Sequence, residues 1–311
     1  MTGERSMRGL AALLGVVLLL PAGALAQKHK DVDQIGQRDI NKGSWNLYSL
    51  EREFEIGRQL ASEVETNSRL LTDPRVQGYV EDLVGRLVRN SDAQAPFTVR
   101  VIDSDELNAF ALPGGFLYVN TGLLLQAETE AELAGILAHE IAHVTARHAT
   151  KQASKARLVQ LFSLPLIFVS GPVAMGISQA MNVALPLTFL KFRRNAEREA
   201  DFLGLQYTYR TGYDPAALID FLERLNEKDI RPRVPGVFST HPMNRDRIQR
   251  ARKEMAEVLP ARADYVVTTS RFEQLKAYLR RLQQAEGHFE PGKESGPRLR
   301  RRTEDDKEGW R

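Results

Sequence analysis

A chain of 311 residues with 42% hydrophobic and 27% charged side chains has ordinary globular composition and length enough for a full core, which excludes a disordered chain. A formal charge of +3, with no basic patch interleaved with aromatics, gives no footprint for nucleic acid. The absence of cysteine removes disulfides, thiolate metal sites and a cysteine nucleophile together.

Residues 1–26 read as a cleavable signal peptide. Arg5 and Arg8 precede an uncharged run from Leu10 to Leu20, Pro21 breaks it, and Ala24-Leu25-Ala26 offers small residues for cleavage. The run falls short of the ~20 residues of a spanning helix, and no cysteine stands ready for lipid attachment, so export to a periplasm is the expectation. Residues 27–45 are polar and read as a flexible lead-in. Helical periodicity begins near Leu47 and continues through Phe54, Ile56, Leu60 and Val64. A second helix follows the cap pair Asp73-Pro74, with Val76, Val80, Leu83, Val84 and Leu87 on one side. Alternation over Phe97–Ile102 predicts a strand, and Ala109–Leu112 and Phe116–Val119 flank Pro113-Gly114-Gly115 as a hairpin.

A long helix is predicted from Thr129, which forms a capping-box pair with Glu132, to about Lys151. Further helices are expected at 193–210, 215–227 and 244–258, and one from Ser270. Few strands among many helices give an α+β class, mostly helical, with a small β-sheet beside the long helix. The stretch 158–192 is apolar but broken by Pro165, Gly171-Pro172 and Pro186, and Ser178, Gln179 and Asn182 interrupt its longest piece. It reads as an apolar helical insertion near the site, with peripheral membrane contact left open and spanning disfavoured. From 286 the chain is a charged tail, disordered by composition, so that 46–285 forms the single domain.

The predicted long helix contains His139-Glu140-Ile-Ala-His143. Residues four apart share a helix face, so both imidazoles reach one metal ion, and zinc accepts such neutral nitrogens. Glu140 is placed to take a proton from an attacking water whose pKa a bound zinc lowers. The short motif also arises by chance on ordinary helices. Against chance stand a chain with only six histidines and flanks that are apolar or small, where a polar triad needs partners to be buried. His148 falls off the ligand face and reads as a helix-end histidine favourable to the dipole and bonded to a neighbour. Downstream, Glu197 and Asp201 are four apart on a predicted helix, one available as a ligand and the other as acceptor for a ligand histidine's N–H, whereas Glu199 faces elsewhere.

With these blocks in view, the chain resembles the zinc metallopeptidase family that includes the CAAX prenyl endopeptidases and the bacterial HtpX, BepA and LoiP proteins. Beyond His139–His143, the matching residues are Asn108-Ala-Phe-Ala-Leu-Pro-Gly-Gly115 with Asn120-Thr-Gly-Leu123, Glu197-x-x-Ala-Asp201, and Thr240-His241-Pro242 followed by Arg247. They stand in the family's order over about residues 50–280. The resemblance implies a gluzincin-type zincin fold, one zinc ion per chain held by His139, His143 and Glu197, and Asp201 supporting that set. The signal peptide points to the periplasmic BepA- and LoiP-like branch. On this reading the chain is expected to depart from BepA in lacking tetratricopeptide repeats, and it departs from LoiP in having no lipobox cysteine.

Physical roles follow for three more places. The segment Asn108, Ala109, Phe110 to Leu112, as a sheet edge beside the site, can pair with an extended substrate, or it is an ordinary hairpin strand. His241 either donates to a developing oxyanion or binds the metal as a fourth ligand and holds the enzyme latent. Arg247 either stabilises the same region or pairs with an acid on the helix. The expected function is a zinc endopeptidase cleaving extended or misfolded envelope or outer-membrane proteins, with Glu140 as general base. The alternative is a chaperone-like envelope assembly or quality-control factor with latent protease activity. An integral membrane protease would rest on 158–192 alone.

Overall fold

The computed structural model describes residues 32–167, 192, 194–227, 241 and 245–285. The expected signal peptide, the charged tail and most of the stretch 158–192 lie outside the described residues. Within them the protein is mostly helical with one three-stranded sheet, the class expected from the sequence.

Helix α1 spans Leu50–Asn67, starting three residues later than Leu47 because Ser49 caps it, accepting a hydrogen bond from the Arg52 N–H. Ile56, Leu60 and Val64 face inward as their spacing requires. Helix α2, Pro74–Arg89, is capped by Asp73, which accepts from the Arg75 and Val76 N–H groups, and buries the five apolar residues named above. Strands β1 (Thr98–Ile102), β2 (Ala109–Leu112) and β3 (Phe116–Asn120) form a sheet in the order β1-β3-β2. β3 is buried throughout, paired in parallel with β1 and antiparallel with β2, so β2 is an edge strand. The hairpin turn at Pro113–Gly115 sits against α1. A Cβ at Gly57 would lie 1.8 Å from the Pro113 carbonyl oxygen, and Gly114 (φ 77°) presses on the Phe54 backbone.

After the short helix α3 (Thr121–Gln126), helix α4 runs over Glu130–Thr145 through the centre of the core. Its residues are buried nearly all round, which is the pattern of an internal helix and not a surface one. Thr129 caps it by accepting from the Glu132 N–H, while the Glu132 carboxylate reaches the Glu128 N–H, one residue before the reciprocal partner of a capping box. Helices α5 (His148–Ile167), α6 (Arg194–Thr211) and α7 (Ala216–Glu227) pack on α4, while α8 (Arg245–Val258) packs on α6 and α7 and α9 (Ser270–Ala285) on α2 and α3. No helix among the described residues is long and apolar enough to cross a membrane.

The single helix expected over Thr129 to Lys151 is in fact two. Asn41 Nδ2 caps the end of α4 by donating to the Thr145 carbonyl, and Arg147 takes φ 57°, turning the chain before α5. Two distant groups hold that residue: Glu53 of α1 accepts from Arg147 Nε at 2.7 Å and the Tyr48 carbonyl accepts from Nη2 at 2.5 Å. His148 therefore begins a new helix, where the positive dipole end disfavours a cation, and its expected role at a C-terminal helix end fails. Where a flexible lead-in is expected, Val32, Ile35 and Ile40 pack on the core, and Arg38 forms a buried ion pair with Asp92 at 2.5 Å.

Candidate metal centre

Two helices build the site. Gly204 of α6 lies against the backbone of His139 in α4, where a Cβ would come within 3.1 Å of the His139 N and Cα atoms. That close approach brings Asp201 and Glu197, on the same face of α6, to the two histidines. His139 and His143 are one turn apart on α4, and their Nε2 atoms converge to 3.0 Å. Glu197 completes the triangle, its Oε2 3.6 Å from His139 Nε2 and its Oε1 3.6 Å from His143 Nε2. With His241, the donor atoms of all four residues lie within 4.8 Å of one another, and all four are buried.

The donor set fits a metal ion. Two nitrogens bound at 2.0–2.1 Å to one tetrahedral ion sit about 3.3 Å apart, close to the separations seen here. Glu140 Oε1 is buried with no hydrogen-bond partner, so a group that belongs at this point is needed to satisfy it. Imidazole nitrogens and a carboxylate oxygen are the ligands that zinc and similar divalent ions accept.

Each ligand is held from behind. His139 Nδ1 lies 3.0 Å from Asp201 Oδ1, which fixes the Nε2 lone pair toward the centre. Arg247 grips Asp201 with two hydrogen bonds of 2.7 and 2.8 Å and places Nη1 2.9 Å from Glu197 Oε2 and 3.4 Å from the His241 carbonyl. Arg247 thus pairs with two acids of helix α6 that belong to this same cluster. His241 Nδ1 lies 2.8 Å from Glu197 Oε1, and its Nε2 is 3.5 Å from Glu140 Oε1.

Burial opposes charge on His139, Glu140, His143, Glu197 and Asp201, and the cluster divides the charge unequally. Burial alone would lower His139, but hydrogen bonds to Asp201 and Glu197 outweigh it and raise it to about 9. Burial and the charges of His139 and His241 push His143 well down, so it stays neutral. Burial raises Glu140, with His241 and His139 opposing. Glu197 and Asp201 are held low despite burial, Glu197 by His139 and His241 and Asp201 by His139 and Arg247.

The edge strand stands beside this centre, and the Ala111 backbone of β2 is among the groups that oppose the rise burial imposes on Glu140. Ala109 is fully buried in the core, and Phe110 stacks on Tyr118 with centroids 5.1 Å apart. Asn108 lies just before β2, and its carbonyl accepts from the Asn120 N–H at 3.0 Å. Phe192 stacks on the His143 ring at 4.1 Å. The sequence reading assigns no role to Phe192, because a lone aromatic carries no motif.

The chain matches the family model described as Peptidase family M48 over residues 74–255. It is 32% identical to the beta-barrel assembly-enhancing protease of Escherichia coli over 235 residues, covering 71% of this chain and 47% of that protein. It is 30% identical to the mitochondrial metalloendopeptidase OMA1 of Schizosaccharomyces pombe over 225 residues, 70% of this chain and 65% of that one. The Danio rerio metalloendopeptidase OMA1 is 35% identical over 207 residues, 62% of this chain and 43% of that protein. The chain spans about half the length of the first of these curated relatives. It belongs to peptidase family M48, and the expectation of a metalloendopeptidase stands with that membership.

Proposed function

We propose that this M48 chain is a zinc-dependent endopeptidase of the bacterial periplasm that cleaves extended or misfolded segments of envelope proteins. The observation that supports it is the convergence of His139 Nε2, His143 Nε2 and the Glu197 carboxylate beside a buried Glu140 oxygen that accepts no hydrogen bond. His139, His143 and Glu197 would hold one zinc ion, which when bound supplies Lewis-acid polarisation and lowers the pKa of water. Glu140 takes the proton of the attacking water and returns it to the leaving amine; burial strengthens it as a base. Asp201 and Arg247 keep the ligands in place. Among the described residues β2 is an edge strand, and it offers backbone groups with which an extended substrate can pair beside Glu140. Envelope substrates are inferred from the Escherichia coli relative, whose name links it to beta-barrel assembly.

A second reading has one observation in its favour. His241 presents its ring to the same cluster and touches both Glu197 and Glu140, which suits a fourth ligand that keeps the site latent. In that case the protein acts chiefly as an assembly or quality-control factor that holds its clients. Cleavage of unfolded casein by wild type, Glu140→Gln and His241→Ala, with zinc quantified in each, decides between them. Cleavage by wild type, lost in Glu140→Gln at equal zinc, establishes the peptidase. Cleavage that appears only in His241→Ala establishes latency. Folded protein without zinc would overturn the metal assignment.

A further inference from the structure

His143 has a second ring nitrogen, and the group that meets it is another imidazole. His143 Nδ1 lies 2.9 Å from His148 Nδ1, and His148 Nε2 lies 3.2 Å from Glu199 Oε2. The two rings stand edge-on, 72° apart with centroids at 4.8 Å, so ring edges and not faces meet. Both histidines are buried, and Glu199 at the outer end is part exposed. The break at Arg147 is what makes this possible. On a continuous helix a residue five places after His143 would point elsewhere, whereas the turn swings His148 back over the ring.

The hydrogen count in this chain has one consistent solution. His143 Nε2 faces the donor cluster and needs its lone pair there, so its proton sits on Nδ1. Nδ1–H then donates to His148 Nδ1, which must be bare. His148 in turn carries its proton on Nε2 and donates it to Glu199. An imidazole without an acceptor behind it has no reason to prefer this tautomer.

We infer that His148, backed by Glu199, is a positioning residue that fixes the ring and tautomer of the ligand His143. It is the counterpart of Asp201 behind His139, with a neutral relay in place of a direct carboxylate. The inference rests on the metalloendopeptidase reading above.

The test is zinc affinity of the full chain by chelator competition, with the visible spectrum of the cobalt-loaded protein as a report on ligand geometry. His148→Ala should weaken zinc binding about 10- to 100-fold and shift the cobalt bands. His148→Asn sets an amide oxygen where Nδ1 now lies and should recover binding to within about threefold of wild type. Glu199→Gln should fall between wild type and His148→Ala. A purely structural His148 would lower the melting temperature of the metal-free protein and leave the cobalt bands unmoved. Binding by His148→Ala within about twofold of wild type, or no rescue by His148→Asn, overturns the inference. Should His148→Ala not fold, His148→Asn against His148→Gln carries the test. Gln carries its oxygen one bond further out, so equal affinity in the two is the refuting result. Failure of wild type to take up zinc would sink the metal reading itself, whereas tight zinc in both wild type and His148→Ala sinks only the role of His148.

Discussion

Helix α4 carries buried charge at both ends, and the two ends are built differently. At its first turn, Glu130 accepts from Arg86 at 3.0 Å, from Tyr213 at 2.7 Å and from Thr269. Glu132 receives both nitrogens of Arg224 at 2.6 and 2.7 Å and the Glu128 N–H at 2.7 Å. Those carboxylates are satisfied by the protein alone. At the other end, two imidazole nitrogens face each other at 3.0 Å and Glu140 keeps an oxygen that accepts no hydrogen bond. A buried acid that the fold satisfies serves stability; one that the fold leaves wanting is held for something else.

Substitution at the two ends should therefore act on different quantities. Glu140→Gln is expected to lower peptidase activity by about 10²–10⁴-fold, with zinc content kept and melting temperature held or raised. A drop in stability instead would make Glu140 a second Glu130. Glu130→Ala leaves the Tyr213 and Thr269 hydroxyls and the Arg86 guanidinium short of an acceptor and should cost about 2–3 kcal/mol of stability. Urea unfolding measures that loss, and a matching fall in kcat/KM at temperatures where the variant is folded would break the division of labour.

The ends should also differ in pH dependence. Burial opposes ionisation of Glu130, but Thr269 and Tyr213 outweigh it and hold the carboxyl below its ordinary 4.5. Its stabilisation is complete above that value and is lost as pH falls through the lower folded one. His139, held at about 9 without metal, stabilises fully below 6.5 and loses this as pH rises through about 9. A metal must displace the proton that His139 carries, so the alkaline loss belongs to the metal-free protein alone. Melting curves should show both forms weakening in acid, but only the metal-free form weakening between pH 7 and 9.5. Zinc titration at pH 7.5 in buffers of different ionisation enthalpy should release about one proton per ion. A flat alkaline limb in the metal-free form would refute the charge assignment.

How much of this could be read in the sequence follows the range of the contacts. The His139–His143 spacing, the Glu197–Asp201 spacing, the caps at Asp73 and Thr129 and the hairpin around Pro113 are local patterns, and each element they predict is present. The break after Thr145 depends on Glu53 and Tyr48, which lie 94 and 99 residues from Arg147. The packing of Val32 to Ile40 depends on Arg38 meeting Asp92, 54 residues away, and no periodicity announces it. His148 and Glu199 are each off the face that the motif defines; only the chain's turn at Arg147 brings them together, so they were visible as residues and invisible as a pair.

The smallest expected effect compares the two glycines that set the packing of these helices. A methyl at Gly135 of α4 would meet the Leu218 Cβ at 2.7 Å, whereas one at Gly204 of α6 would meet the His139 N and Cα at 3.1 Å. Either change to alanine gains about 1 kcal/mol of helix propensity, and either overpacks a tight contact at about 1–3 kcal/mol. The closer contact should win at Gly135, giving a net loss near 1 kcal/mol with zinc affinity unchanged. At Gly204 the two terms should nearly cancel in stability, but the His139 backbone cannot rotate away, so α6 must shift by a few tenths of an ångström. Asp201 and Glu197 ride on α6, and the expected result is a few-fold weaker zinc binding at nearly constant melting temperature. The opposite pattern, with Gly135→Ala weakening the metal and Gly204→Ala only the fold, would show that the site is positioned through α7 and not through the α4–α6 contact.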